Sequence, residues 1–190
     1  MQGKRIAVAV GAGVAAALLA ACAGSPERRL APVVLVADVD LARFMGAWYV
    51  IAAIPTAFER NAYNPVDHYR LDADGTVATT FSFNDGAFDG ARKEYASRGF
   101  VVAGTGNAVW GQQYIWPIKA DYRISYLDAD YSQVVVTREK RDYVWIMART
   151  PTMAGVDLDR LIAFVARQGY DPSRLRRMPQ AAADGRTSAP

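Results

Sequence analysis

From residue 46 to residue 148 the chain is a run of short extended segments joined by local turns, and this pattern constrains the fold more than anything else in the sequence. Segments at 46–55, 66–71, 76–83, 94–102, 108–114, 121–127, 133–137 and 143–148 are rich in aromatic and β-branched residues. The third alternates cleanly, with Val77, Thr79, Phe81 and Phe83 on one face and Ala78, Thr80 and Ser82 on the other. Asp72-Ala73-Asp74-Gly75, Gly104-Thr105-Gly106-Asn107 and Asp128-Ala129-Asp130 have turn chemistry. Eight strands joined this way predict an antiparallel up-and-down arrangement, either barrel or sandwich. The next segment changes period. Leu158, Leu161, Ile162 and Val165 recur at helical spacing, acids occupy the first turn, and Gly169 stands at the C-terminal cap. One amphipathic helix therefore follows the strands and must lay its apolar stripe on the outside of the sheet. Asp171-Pro172-Ser173 then starts a second short helical turn, with Pro in the first helical position.

The first strand sits in Phe44-Met45-Gly46-Ala47-Trp48-Tyr49-Val50-Ile51-Ala52-Ala53-Ile54-Pro55. Residues 40–44 read as a single helical turn ahead of it. Gly46 lets the chain turn sharply, or pass close to another backbone, before Trp48 enters the sheet.

The N-terminus is a targeting segment. Lys4 and Arg5 precede an uncharged Ala/Gly-rich run that is too short for a good membrane span and ends in Leu19-Ala20-Ala21-Cys22. That ending looks like the lipobox of bacterial lipoproteins, in which the signal is cleaved before the cysteine and the cysteine is acylated. Residues 1–21 are thus expected to be a signal peptide, and 22–38 a lipidated cysteine and tether. Residues 39–179 make up the folded domain and 180–190 a disordered tail. Ala23 after the cysteine, rather than Asp, points to the outer membrane.

Cys22 is the only cysteine, so the exported domain has no internal disulfide and no cysteine-based metal site. Removing residues 1–21 leaves 169 of 190, enough for one domain with its own core. Lys4 and Arg5 leave with the signal, so 22 basic residues become 20 against 19 acidic ones, which gives no case for nucleic-acid binding. Arg174, Arg176 and Arg177 cluster near the tail and read as a solvated edge.

Three separated motifs resemble the lipocalin family, most closely its bacterial outer-membrane lipoproteins and apolipoprotein D. They are Phe44-Met45-Gly46-Ala47-Trp48-Tyr49 with Ile54-Pro55-Thr56 and Phe58-Glu59, then Tyr126-Leu127-Asp128-Ala129-Asp130-Tyr131, then 141–151 from Arg141 to Pro151. The resemblance implies a closed eight-stranded antiparallel β-barrel with one C-terminal helix packed outside. It also implies that Arg149 lies across Trp48 and, with Gly46, closes one end. A guanidinium over a desolvated indole contributes about 2 kcal/mol. If Trp48 and Arg149 face inward, parity adds Val50, Ala52, Tyr143, Trp145 and Met147, and strand three offers Thr79 and Phe81. Family likeness adds Ile124, Tyr126 and Val135. These ten are the expected ligand-lining residues, an apolar and aromatic set with a few hydroxyls.

Catalysis is not expected. His68, the sole histidine, falls on the outer face of the second strand by alternation, and no Gly-x-Ser-x-Gly is present. The paired acids Asp72/Asp74 and Asp128/Asp130 suit turn capping better than acid–base work. No cofactor and no metal are implied. The expected function is binding of a fatty acid or lysophospholipid, for lipid storage or transport, by a monomer or homodimer anchored through acylated Cys22 on the periplasmic side of the outer membrane. The alternative is a structural envelope lipoprotein whose barrel is filled. Cys22→Ser is predicted to accumulate as an unacylated precursor. A mature, lipid-labelled form of the variant in outer-membrane fractions would refute the lipobox.

Overall fold

The computed structural model describes residues 30–181. The expected signal peptide, Cys22, the expected tether up to residue 29 and the expected tail beyond 181 lie outside the described residues.

A helical turn, α1 (Leu41–Phe44), leads into β1 (Gly46–Ile54), and a 3-10 turn (Ala57–Glu59) leads into β2 (Ala62–Leu71). Then follow β3 (Val77–Asp85), β4 (Arg92–Val101), β5 (Val109–Ile115), β6 (Ile118–Leu127), β7 (Gln133–Thr137) and β8 (Val144–Ala148). The helix α2 (Gly155–Arg167), a 3-10 turn (Pro172–Arg174) and a short β9 (Arg176–Arg177) complete the domain. Each of the strands β1 to β8 pairs with its sequence neighbours, and β1 pairs with both β2 and β8, which closes the barrel. Closure removes the edges that an open sheet would expose.

β1 is shared unevenly. Gly46–Tyr49 pair with β2, whereas Tyr49–Ile54 pair with β8. Beyond Tyr49, β2 diverges, and its chain bends at Asn64, where φ is +50° and the register shifts. β9 fills the gap by pairing Arg177 with Ala52 and Arg176 with Ala53. Met178 N–H donates to the Ile51 carbonyl at 2.9 Å, and Gln180 Nε2 donates to the carbonyls of Val50 and Pro65 at 3.0 and 2.9 Å. Gln180, read from the sequence as the first residue of the tail, is buried. Two arginines carry no strand periodicity, so β9 left no trace in the sequence.

Two apolar clusters result. One fills the barrel, with Phe44, Trp48, Val50, Ala53, Tyr69, Trp110, Tyr122, Ile124, Val134, Val136 and Met147 among its members. The other lies between barrel and helix, where Leu158, Leu161 and Val165 cover Ala52, Ile54, Val135, Val144 and Ile146. The helix therefore packs outside, and Gly169 follows it at φ +90°. All buried apolar residues among those described fall between Val33 and Met178, so a chain beginning after Cys22 keeps every one of them.

One end is sealed. The Arg149 guanidinium lies 3.9 Å from the Trp48 ring. It donates to the carbonyls of Arg43 and Phe44 (2.7 and 3.0 Å), Ala47 (2.9 Å) and Tyr131 (3.2 Å). The Arg43 and Phe44 carbonyls end the four-residue α1, where intrahelical donors run out, and the Phe44 carbonyl also accepts from Trp48 Nε1 at 2.8 Å. Gly46, at φ +95°, takes a backbone conformation that a side chain would strain, and a Cβ there would stand 3.4 Å from Arg149 Nη1. Asp40 caps α1 by accepting from the Ala42 and Arg43 N–H groups. Arg149→Ala is predicted to lower unfolding stability by about 2–4 kcal/mol, through loss of the ring contact and of a donor to four carbonyls. An unchanged urea midpoint would remove Arg149 from the closing role.

Candidate functional site

Above the Arg149 seal the barrel is packed with rings. Phe44 sits 5.2 Å from Trp48, 5.5 Å from Tyr69 and 5.5 Å from Trp110, and Trp110 stacks on Tyr122 at 4.9 Å. The cavity lies on top of this plug. It has a volume of about 30 Å³ and is lined by Glu59, Asp67, Tyr69, Thr79, Phe81, Gln112, Tyr114, Tyr122, Val136, Trp145 and Met147. A water needs ~10–15 Å³ of such space, so the cavity holds one or two small groups and not an acyl chain.

Four of the ten residues expected to line the pocket do so: Thr79, Phe81, Trp145 and Met147. Val50 and Ile124 face inward but are fully packed in the barrel core. Ala52 and Tyr126 are corrections. A register shift between Val50 and Ala52, and another between Ile124 and Tyr126, inverts the alternation. Ala52 therefore lies under the helix and Ala53 takes the interior place. Tyr126 packs toward the helix, where its hydroxyl accepts from Arg160 Nη1 at 2.8 Å. Val135 is the third correction. It pairs with Ile146 and shares the helix side, while Val134 and Val136, opposite Met147 and Trp145, point inward. Tyr143 stands just ahead of β8, its ring 6.3 Å from Trp145 and 5.3 Å from the Arg138 guanidinium, and does not line the cavity. His68 is exposed. Among the described residues no cluster of His, Cys, Asp or Glu has metal-binding geometry.

What the sequence reading missed is polar. Glu59 is buried at the end of the 3-10 turn, where its Oε2 accepts from Thr56 N–H at 2.6 Å in a capping box. Its Oε1 accepts from Trp145 Nε1 at 2.8 Å, so this turn is latched over the cavity. Asp67 projects inward from β2, on the same parity as Tyr69. Burial, then the nearby Glu59 carboxylate, push the Asp67 carboxyl up to about 8, against a lowering hydrogen bond from Tyr69. The Tyr69 and Tyr122 hydroxyls share a hydrogen bond of 2.9 Å. Burial raises both phenols well above their ordinary value. Gln112 Nε2 donates to Ser97 Oγ at 2.7 Å, but Gln112 Oε1 and Thr79 Oγ1 are buried without partners. No Lys, Arg or His lines the cavity. The missed pair had one usable sign, since alternation that puts His68 outside puts Asp67 inside.

The rim around the latch is apolar and exposed. Phe58, Ile115, Trp116 and Ile118 are exposed at the loop ends of the strands, and Phe58 touches Tyr95, exposed within β4, at 5.8 Å between centroids. A separate cleft of about 140 Å³ beside the same turn is lined by Arg60, Arg176 and Arg177 with Asn61 and Tyr63.

Residues 39–180 match the family described as Lipocalin-like domain. The chain is 30% identical over 161 residues to the outer membrane lipoprotein Blc of Vibrio cholerae, a match spanning 83% of this chain and 90% of that protein. It is 28% identical to the protein of that name from Escherichia coli K12 (90% and 94%), and 29% identical to temperature-induced lipocalin-1 of Arabidopsis thaliana (77% and 82%). Among solved structures, insecticyanin of the tobacco hornworm superposes with a TM-score of 0.59 at 16% identity, covering 83% of this chain and 88% of that one. Lobster apocrustacyanin A1 gives 0.57 at 14% identity, covering 77% and 89%.

Asp67 sets a pH signature. Its folded-state value lies above its ordinary 3.8, so between about 4 and 8 the folded protein holds a proton that the unfolded chain has released. This contribution to stability is full below about 4 and is lost as pH rises through about 8. Wild type is therefore predicted to lose stability over that range relative to Asp67→Asn, and parallel urea-midpoint profiles for the two would refute it.

Proposed function

The chain belongs to the lipocalin family, and we propose on that premise that it binds a single-chain lipid, a fatty acid or lysophospholipid, at the mouth of its barrel for storage or transport in the envelope. Lipocalins in general bind and carry small hydrophobic molecules rather than catalyse. The observation carrying this reading is a barrel sealed at one end by Arg149 that keeps a cavity at the other, bordered by Thr79, Phe81, Trp145 and Met147. The cavity takes a head or a chain end, and the rest of the ligand lies along the rim, against Phe58, Tyr95 and Trp116. Opening the Glu59–Trp145 latch would deepen it.

Similarity to outer membrane lipoproteins supports an outer-membrane location, and the Leu-Ala-Ala-Cys ending supports acylation of Cys22 as the anchor, on the periplasmic side. The exposed Ile115, Trp116 and Ile118 suit a bilayer interface, and the arginines of the neighbouring cleft suit anionic headgroups. At the start of the domain, Val34 N–H donates to Gln168 Oε1 at 2.8 Å just past the end of α2, and the Gln168 carbonyl accepts from Arg141 in the β7–β8 turn on the mouth side.

The small cavity favours a second reading, the filled envelope barrel, and one experiment separates the two. Residues 23–190 are titrated with lysophospholipid and followed by tryptophan fluorescence. Saturable quenching is expected in wild type. Thr79→Leu fills the cavity and removes an unpartnered hydroxyl, so stability is expected to hold while affinity falls about tenfold, or ~1.4 kcal/mol. Absence of saturation in wild type would favour the filled barrel. Unchanged affinity in Thr79→Leu would place the lipid outside the barrel.

A further inference from the structure

The cavity beneath the latch has a chemistry of its own. Glu59 and Asp67 face it, joined by the buried and unpartnered Thr79 Oγ1 and Gln112 Oε1 and by the Tyr69, Tyr114 and Tyr122 hydroxyls. These groups are rich in acceptors, and no basic side chain lines the space. A carboxylate head in this space would have no counter-ion and would face two acids. An acyl chain would leave Thr79 and Gln112 unsatisfied and exceed the volume. A protonated primary amine differs on each count. It is close to a water molecule in size, carries three donors, and brings the positive charge that the acids lack.

We propose that this cavity is the receptor for a primary ammonium head, held between Glu59 and Asp67 with Thr79 and Gln112 as further acceptors, while the ligand's apolar tail runs out through the mouth over Phe81 and Trp145. The proposal rests on the lipid-binding reading and narrows it from any single-chain lipid to one carrying an ammonium. An ammonium arrives either as the head of a free alkylamine or as the end of a zwitterionic lysolipid, and the pocket chemistry is the same for both.

Asp67 adds a proton to the process. The groups facing it are Glu59 from the 3-10 turn, Tyr69 on its own strand, Tyr114 on β5 and Tyr122 on β6, and none brings a positive charge. Burial holds Asp67 protonated up to about 8, so an ammonium binding at neutral pH displaces that proton to solvent. Affinity then rises with pH toward about 8 and levels above it. An alkylamine stays charged throughout this range, as a Lys side chain does near 10.4.

The test uses residues 23–190, which retain every buried apolar residue among those described, and four ligands of one chain length: decylammonium, decyltrimethylammonium, decanol and decanoate, each below its micelle concentration. Decylammonium is expected to bind about tenfold more tightly than decanol and decanoate to bind more weakly than either. The trimethyl head is expected to lose affinity because it overfills about 30 Å³. Asp67→Asn and Glu59→Gln each keep the side-chain shape and are expected to cut decylammonium affinity about tenfold relative to decanol affinity in the same variant, or ~1.4 kcal/mol in each case. Asp67→Asn is also expected to abolish the rise with pH. A second comparison sets lysophosphatidylethanolamine against lysophosphatidylglycerol, which lacks the ammonium. Preference for the former assigns the zwitterionic source, and tight decylammonium alone assigns the free amine. Decanoate binding as tightly as decylammonium, or wild-type affinity in both acid variants, would overturn the ammonium receptor and leave lipid binding standing. Absence of binding by all the decyl ligands and both lysolipids would overturn the two readings together.

Discussion

Everything in this domain depends on β1 having strand partners along its whole length. Its first half hydrogen-bonds β2, its second half β8, and the stretch β2 abandons is taken by β9 and Gln180. A closed barrel makes such closure non-local, since Trp48 and Arg149 are a hundred residues apart in sequence. Arg149 compensates by acting at the seam. One guanidinium satisfies carbonyls from α1, β1 and the β6–β7 turn and covers the Trp48 ring, so strands one and eight, the entering turn and Tyr131 are fixed by a single side chain. Arg rather than Lys is needed there, because only a planar fork can reach several carbonyls while stacking on a ring.

The strands were legible because their turns are built from Asp, Asn and Gly at the required places. Gly75 at φ +79° and the Asp128 carboxylate accepting from the Ser132 and Gln133 N–H groups are what those residues predict. Strand ends were less so: β2 extends back to Ala62 through Pro65, and β6 starts at Ile118. Facing was legible only as far as the alternation ran unbroken. Trp48, Val50, Thr79, Phe81 and Met147 all face inward as parity requires, whereas Ala52 and Tyr126 lie just beyond register shifts and face out. A shift of this kind inserts one residue without any composition that marks it, so parity carried across it is wrong by one.

The site was less legible than the fold for a related reason. A search for a lipid pocket selects apolar residues, and in a barrel this narrow those residues mostly fill the space. Val50 and Ile124 are core, and the plug of Phe44, Trp110, Tyr69 and Tyr122 occupies the depth. What remains unfilled is bordered by groups that packing alone has no use for. Glu59 reads in sequence as a loop acid and Asp67 as an acid in a strand with mixed faces; only the closed structure brings them to one cavity.

Two carboxyl groups facing one small space, with a hydroxyl and an amide oxygen unpartnered beside them, are costly for a fold that had alternatives. Asn at residue 67 and Val at residue 79 would fit with less desolvation and no stranded polar atom. The neighbouring layers show that the chain can pack without such groups: Val134, Val136 and Met147 close the same region with apolar contacts. A filled structural barrel gains nothing from keeping acids beside a cavity. A receptor for a positively charged donor gains directly, because the same buried acids that weaken the empty fold become the strongest contacts when the head arrives. The position of the latch agrees. Glu59 spends its two oxygens on Thr56 and Trp145 while the cavity is empty, so the residue that would meet the ligand also holds the mouth shut until it comes.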